Sequence, residues 1–216
     1  MNFLATRVEL QVALLLLTLV SALGVAAFAS TYLILSPDDF SFEQQQVNYR
    51  DHVSLFRIHV GFGIIALITG PIQFFSKLRK IRKLHRTLGT AYVMSIGVSA
   101  IAGVEVATFA YGGLPNTVAF WLLSFFWIVT TLQAYISIKK GDVDSHKRWM
   151  IRSYAVTFAA VTLRAELGIL IGAFGLSFDQ AYAIVPWTCW ALNLIVVEWM
   201  VIPRIPAFKG ISSTLG

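Results

Sequence analysis

Residues 12–35 read VALLLLTLVSALGVAAFASTYLIL and contain no charged side chain. A helix needs about 20 apolar residues to cross a hydrocarbon core about 30 Å thick, and this run exceeds that length. In lipid, a single apolar segment satisfies its backbone polar groups only as a helix. The stretch therefore predicts a membrane-spanning helix, and the rest of the chain repeats the pattern.

Five further apolar runs follow the first. We predict spans at about residues 8–35, 53–75, 87–109, 117–138, 150–174 and 181–202. Residues 1–216 then form a single transmembrane domain, an all-α integral membrane protein with a six-transmembrane-helix bundle. Hydrophobic residues make up 57% of the chain and charged residues 13%, which lies outside the composition of ordinary soluble domains.

The charges of the connecting segments predict the orientation of the spans. Residues 76–86 carry six basic side chains and no acidic one, whereas residues 36–51 carry four acidic side chains and one arginine. By the positive-inside rule we expect residues 76–86 and both termini in the cytoplasm, with the multi-pass chain in the cell (inner or plasma) membrane. Because the basic residues lie in loops beside spans, they indicate contact with the lipid bilayer and no nucleic-acid partner.

The first span also needs to be distinguished from a signal peptide. Ala27-Phe28-Ala29 resembles a signal-peptidase site. The apolar run before it is too long for a signal sequence, so we expect this span to be retained as an anchor.

Two histidines lie at the inner ends of the predicted spans. With a rise of about 1.5 Å per residue, His85 and His146 fall at the same height, together with Arg152 and Glu198. Basic residues flank both histidines. Two interpretations therefore stay open, ligation of a cofactor or metal by His85 and His146, or contact with lipid phosphates.

A second group of polar residues, the outer polar cluster, comprises His59, Glu105, Arg164 and Glu166. Arg164 and Glu166 point about 160° apart on a straight helix and cannot pair with each other. Glu105 is the expected counter-ion of Arg164. The cluster is either a buried ion pair that fixes helix order or a functional site.

Several stretches in predicted spans two to five have a recognisable pattern. They are His59-Val-Gly-Phe-Gly, Gly70-Pro-Ile-Gln73, Leu84-His-Arg-Thr-Leu-Gly89, residues 146–154 (HKRWMIRSY) and residues 157–164 (TFAAVTLR). Together they resemble the bacterial membrane family catalogued as domain of unknown function 2306. That resemblance implies a membrane protein and brings no established activity.

A more distant resemblance is to cytochrome b561, a six-helix membrane cytochrome with haem ligands on spans two to five. It implies an inner haem b with His85 and His146 as the iron ligands and Arg152 near the propionates. His59 would belong to an outer haem, but predicted span four has no histidine to pair with it. The resemblance further implies electron transfer, with a membrane redox partner or a homo-oligomer.

Other functions are compatible with the same residues. The chain could be a non-catalytic membrane subunit or assembly factor. It could be a proton-coupled transporter of small solutes, with Arg164 holding an anion and Glu105 or Glu166 carrying the proton. An intramembrane zinc hydrolase would use His59, Glu105 and Glu166, but the sequence has no HExxH motif. Whether the protein is an enzyme is therefore left undecided.

Overall fold

The computed structural model describes residues 3–39, 46 and 49–204, without the side chains of residues 3–8, 10 and 11. The helices in this part of the chain are α1 (Phe3–Ile34), α2 (Val53–Ile72), α3 (Ser76–Arg79), α4 (Arg82–Thr108), α5 (Leu114–Lys139), α6 (Val143–Thr157), α7 (Ala159–Gly172) and α8 (Phe178–Val196). A π-helical turn, Val197–Val201, extends α8. No strand occurs among these residues, and the predicted all-α membrane bundle is confirmed.

The number of spans follows from helix length and composition. Five helices are each long and apolar enough to cross a membrane, namely α1, α2, α4, α5 and α8 with its extension. Helices α6 and α7 meet the same condition together, as a pair bent by 41°. Counted as one broken span, this pair completes the six spans that the sequence predicts.

The bend between α6 and α7 lies at Phe158, where the chain has neither proline nor glycine. The Thr157 hydroxyl donates to the backbone carbonyl of Ser153 at 2.9 Å. Such a side-chain contact with the preceding turn bends helices. The predicted span over residues 150–174 thus contains two helices that meet at the bend, and no breaker residue in the sequence marks it.

Two spans begin earlier than predicted. Helix α6 begins at Val143, where the Asp142 side chain caps it by accepting from the Ser145 backbone N–H at 2.9 Å. Helix α4 begins at Arg82 instead of residue 87. His85 and His146 therefore lie close to the first turns of these helices.

The helices form one bundle whose outer surface is apolar. Helix α2 packs mainly on α4, α5 on α6, and α4 also on α5, while α1 lies against α2 and α7 against α8. Large side chains on the outer faces stay exposed, including Leu17 (63%), Ile101 (67%) and Phe174 (71%). A continuous apolar surface of this kind is unfavourable in water and fits the hydrocarbon core of a bilayer.

The bundle has two ends, a His59 end and a His85 end, each with the histidine of that number. The His59 end contains the last turn of α1, the first turn of α2 and the α4–α5 and α7–α8 connections. The His85 end contains α3, the α5–α6 connection and the extension of α8.

Candidate functional site

His85 on α4 and His146 on α6 lie together at the His85 end of the bundle. Both residues are half-buried, and His146 is within electrostatic range of His85. The structure therefore places the two side chains that the sequence predicts as inner ligands at the same end of the bundle, within electrostatic range of each other.

A backbone contact orients the His146 ring. Its Nδ1 lies 2.9 Å from the carbonyl oxygen of Ala134 on α5. A carbonyl only accepts hydrogen bonds, so Nδ1 carries the proton and the lone pair of the neutral ring is on Nε2. Within the described chain, Nε2 has no hydrogen-bond partner. Histidines that bind metals commonly use their other N–H in this way.

The His85 ring contacts the side-chain amide of Gln73, which is buried just after α2. In the orientation that satisfies this amide, its nitrogen donates to His85 Nδ1 and its oxygen accepts from the Gly89 N–H at 3.1 Å. The proton of a neutral His85 is then on Nε2. If the amide turns over, its oxygen accepts from Nδ1 and leaves the Nε2 lone pair open. Gln73 thus controls the tautomer of His85.

Buried hydroxyl groups lie about two helical turns from the histidines. Tyr92 follows His85 by seven residues and Ser153 follows His146 by seven, so each pair shares one face of its helix. The Tyr92 hydroxyl oxygen lies 2.9 Å from Ser153 Oγ. This contact joins α4 directly to α6 above the histidine pair.

The same hydrogen-bond network extends to α5. Thr157 Oγ1 lies 3.0 Å from the Tyr92 hydroxyl and accepts from the Trp127 indole N–H at 2.8 Å. Thr131 Oγ1 lies 2.7 Å from Ser153 Oγ. All five side chains are buried. They fix the relative positions of the three helices and therefore the spacing of the two histidines.

Arg152 is held by a different partner from the one predicted. Its guanidinium makes two hydrogen bonds to the Glu198 carboxylate, at 2.9 and 2.8 Å, and lies over the Trp149 ring at 4.6 Å. Glu198 belongs to the π-helical turn that extends α8. Arg152 therefore joins α6 to the extension of α8, and its predicted place beside a ligand of His146 stays a prediction.

At the opposite end, two hydrogen bonds fix His59 against α4. Its Nδ1 donates to the carbonyl oxygen of Ser99 at 2.8 Å, and the Ser99 hydroxyl donates to the His59 carbonyl oxygen at 2.7 Å. A Cβ at Gly103 would lie 2.9 Å from Nδ1, so the ring needs glycine at that position. As in His146, the nitrogen left without a partner in the described chain is Nε2.

Arg164 on α7 lacks the counter-ion that the sequence predicts. Its guanidinium donates to the Ala160 carbonyl oxygen at 2.7 Å and lies over the Phe28 ring at 5.6 Å. Among the described residues no carboxylate forms an ion pair with it. The expected Glu105–Arg164 pair is not formed, because Glu105 lies on an exposed face of α4.

Glu166 also lies apart from Arg164, in agreement with their predicted separation around the helix. Its carboxylate accepts a hydrogen bond from the Thr188 hydroxyl on α8 at 2.5 Å. The part of the chain that the structure describes contains no group of three or more His, Cys, Asp or Glu side chains that could hold a metal. His59, Glu105 and Glu166 consequently do not assemble the zinc site that a hydrolase would need.

His59 and Arg164 line one cavity of about 200 Å³ between the helices. Its walls are mostly apolar and include Phe56, Leu67 and Trp127. Tyr49, just before α2, lines it as well, and burial raises the pKa of its phenol above the usual range. The phenol therefore stays neutral. Of the outer polar cluster, only His59 and Arg164 share this space.

A match to a known protein family covers most of the bundle. Residues 56–201 match the family described as "Predicted membrane protein (DUF2306)". The chain belongs to the DUF2306 family. No curated protein and no solved structure matches it.

The region that matches the family includes both groups of polar residues. In this DUF2306 protein, residues 56–201 include His59, Arg164, His85 and His146, and they exclude α1. The family resemblance seen in the sequence is thereby confirmed, and it assigns no activity to any of these residues.

Two features of the site in this DUF2306 protein cannot be predicted from its sequence. Gln73 is the last residue of the Gly70-Pro-Ile-Gln73 stretch, and only the structure places its amide on His85. The hydroxyl network was missed because serine, threonine and tyrosine are tolerated at many positions in a span. Its only sequence signal is the spacing of seven residues that Tyr92 and Ser153 keep from the two histidines.

Proposed function

We propose that this DUF2306 protein binds one haem b between α4 and α6, with His85 and His146 as axial ligands, and transfers electrons. The proposal rests on one observation: the two imidazoles lie near each other at the same end of the bundle, and the protein holds each by Nδ1. Ligation through Nε2 needs the proton on Nδ1 of each ring. The Ala134 carbonyl fixes it there in His146, and the Gln73 amide would do so in His85 when its oxygen faces Nδ1.

The donor set suits a haem iron better than a zinc ion. Two neutral imidazoles from separate helices can fill both axial positions, whereas zinc needs at least three protein ligands. A haem with both positions filled supplies one-electron transfer and disfavours oxygen binding. The contacts at the ring nitrogens, from Ala134 to His146 and from Gln73 to His85, would orient the two histidines.

Several groups of the chain would support such a cofactor. Lys83 and Arg86 flank His85, and Arg148 follows His146 in sequence, so positive charge is available for the two propionates. Arg152 is not included, because its guanidinium is bound to Glu198. The buried Tyr92–Ser153 contact would lie above the cofactor and join the two helices that hold it.

The cellular setting is part of the same proposal. The basic residues of positions 76–86 favour a cytoplasmic location for the His85 end in the cell membrane, with both termini on that side. Electrons would then be exchanged near the cytoplasmic surface, with a membrane redox partner or a second copy of the chain.

A reduced-minus-oxidised absorption spectrum of the purified protein tests the proposal. We expect Soret and α-band changes with about one haem b per chain. His85→Ala and His146→Ala should each abolish them, whereas His52→Ala should not, because His52 stacks on Phe109 at the other end of the bundle. A wild-type protein without haem, purified from cells that supply it, would contradict the proposal. Colourless protein that copurifies with a larger complex would instead favour a subunit or assembly factor.

A further inference from the structure

The cavity at the His59 end contains a charge that no described residue neutralises. Arg164 lines this cavity, and in the described chain its guanidinium meets only a backbone carbonyl and a phenylalanine ring. Tyr32 and Tyr182 are within electrostatic range, but a phenol carries no charge at neutral pH. A guanidinium withdrawn from water is unfavourable without an anionic partner. The missing partner can be supplied by a ligand.

The size and walls of the cavity define the rest of that ligand. An apolar cavity of about 150 Å³ accommodates benzene. The cavity here has about 200 Å³, so it has room for one ring and a small substituent. Phe56 and Trp127 contribute aromatic walls and Leu67 an aliphatic one. These walls favour an apolar body, and Arg164 favours an anionic group at one side of it.

We infer that this cavity binds a small aromatic monocarboxylate, with the carboxylate on Arg164 and the ring among the apolar side chains. Guanidinium matches a carboxylate in shape as well as in charge. His59 adds an acceptor, since Ser99 holds its Nδ1–H and leaves Nε2 for a hydroxyl group on the ligand. A carrier or sensor of small organic acids would need a site of this kind. The inference does not depend on haem at the other end of the bundle.

Isothermal titration of the purified protein in a non-ionic detergent, with sodium benzoate as the probe, tests this inference. We expect saturable binding of benzoate and at least about tenfold weaker binding of benzamide, which has the same shape and no charge. Arg164→Gln should weaken benzoate binding by a similar factor. Arg50→Gln is the matched control, because Arg50 pairs with Asp38 on the exposed surface of the same end.

A second variant separates loss of the site from loss of the fold. Ala107 is buried in the cavity wall, and Ala107→Leu fills part of the space while Arg164 is kept. We expect it to weaken benzoate binding at least about tenfold, with a normal gel-filtration profile. No binding of benzoate to wild type, equal binding of benzamide, or unchanged binding by both variants would overturn the inference. Equal binding of toluene and benzoate would show an apolar cavity without a carboxylate site.

Discussion

The ring of Tyr154 on α6 packs on the backbone of Gly70 on α2 so closely that a Cβ at position 70 would overlap its Cδ2 and Cε2 atoms. The Tyr92 ring is also close, 3.0 Å from the same position. The contact also places the Tyr154 hydroxyl 3.3 Å from the Leu67 carbonyl oxygen. Gly70 therefore sets how near α2 approaches α4 and α6.

Gly70→Ala should destabilise the protein by about 1–3 kcal/mol, because two buried rings must move to admit the methyl group. Unfolding by sodium dodecyl sulfate from a mild detergent measures the difference. Gly97→Ala is the control, since a Cβ there has no atom within 4 Å. It should be neutral or stabilising by up to about 1 kcal/mol, as expected for alanine in a helix. Equal effects of the two substitutions would show that the Tyr154 contact has no importance.

Two substitutions in the hydroxyl network should differ in how much they destabilise the protein. Tyr92→Phe removes one hydroxyl, but Ser153 keeps Thr131 and Thr157 keeps Trp127. Its cost should therefore be below about 1 kcal/mol, as is common for hydrogen bonds within membranes.

Thr157→Val keeps the shape of the side chain and leaves the buried Trp127 N–H without an acceptor, which should cost about 1–3 kcal/mol. The same detergent unfolding compares the two variants. If Tyr92→Phe proved the more costly, the indole contact would not be the dominant member of the network.

The lipid environment decides which features of the fold can be predicted from the sequence. Long uncharged runs such as residues 12–35 must be helical in a bilayer, so the number and the order of the spans are evident from the sequence. The break at Phe158 is not, because no proline or glycine marks it. The bond from the Thr157 hydroxyl to the Ser153 carbonyl does not distinguish it, since Thr131 makes the same bond within the unbroken helix α5. Threonine occurs in many straight helices, and no rule of composition separates the two cases.

For the candidate sites, the sequence predicts the height of a residue along the bundle but not the direction in which its side chain points. Rise per residue predicts height along the bundle, and it places His85 beside His146 and His59 beside Arg164. Direction around each helix depends on packing that the sequence does not reveal. Glu105 has the right height to pair with Arg164 but faces away from the bundle, and the predicted ion pair was wrong for that reason.

The pairing of Arg152 with Glu198 leads to a prediction that separates structure from cofactor binding. A double-mutant cycle with Arg152→Gln and Glu198→Gln should give a coupling energy of about 0.5–1 kcal/mol, because the carboxylate is half exposed, at 50%. Haem content per chain should be the same in all four proteins. If haem were lost in Arg152→Gln but not in Glu198→Gln, Arg152 would contribute to haem binding.

Gln73 provides the sharpest test of the histidine pair, because its amide sets the tautomer of His85. Haem binding through His85 Nε2 needs the amide orientation in which the Gln73 oxygen accepts from Nδ1–H. Gln73→Leu removes that acceptor at similar volume, and we expect haem affinity to fall about 10–100-fold, as for other groups that orient a metal ligand. Gln133→Leu is the control, since Gln133 is exposed on α5. Haem titration of the apoprotein measures the affinity. The ¹⁵N shifts of the His85 ring in the apoprotein report which nitrogen carries the proton. They should differ between wild type and Gln73→Leu, and unchanged shifts would mean that Gln73 does not control the tautomer.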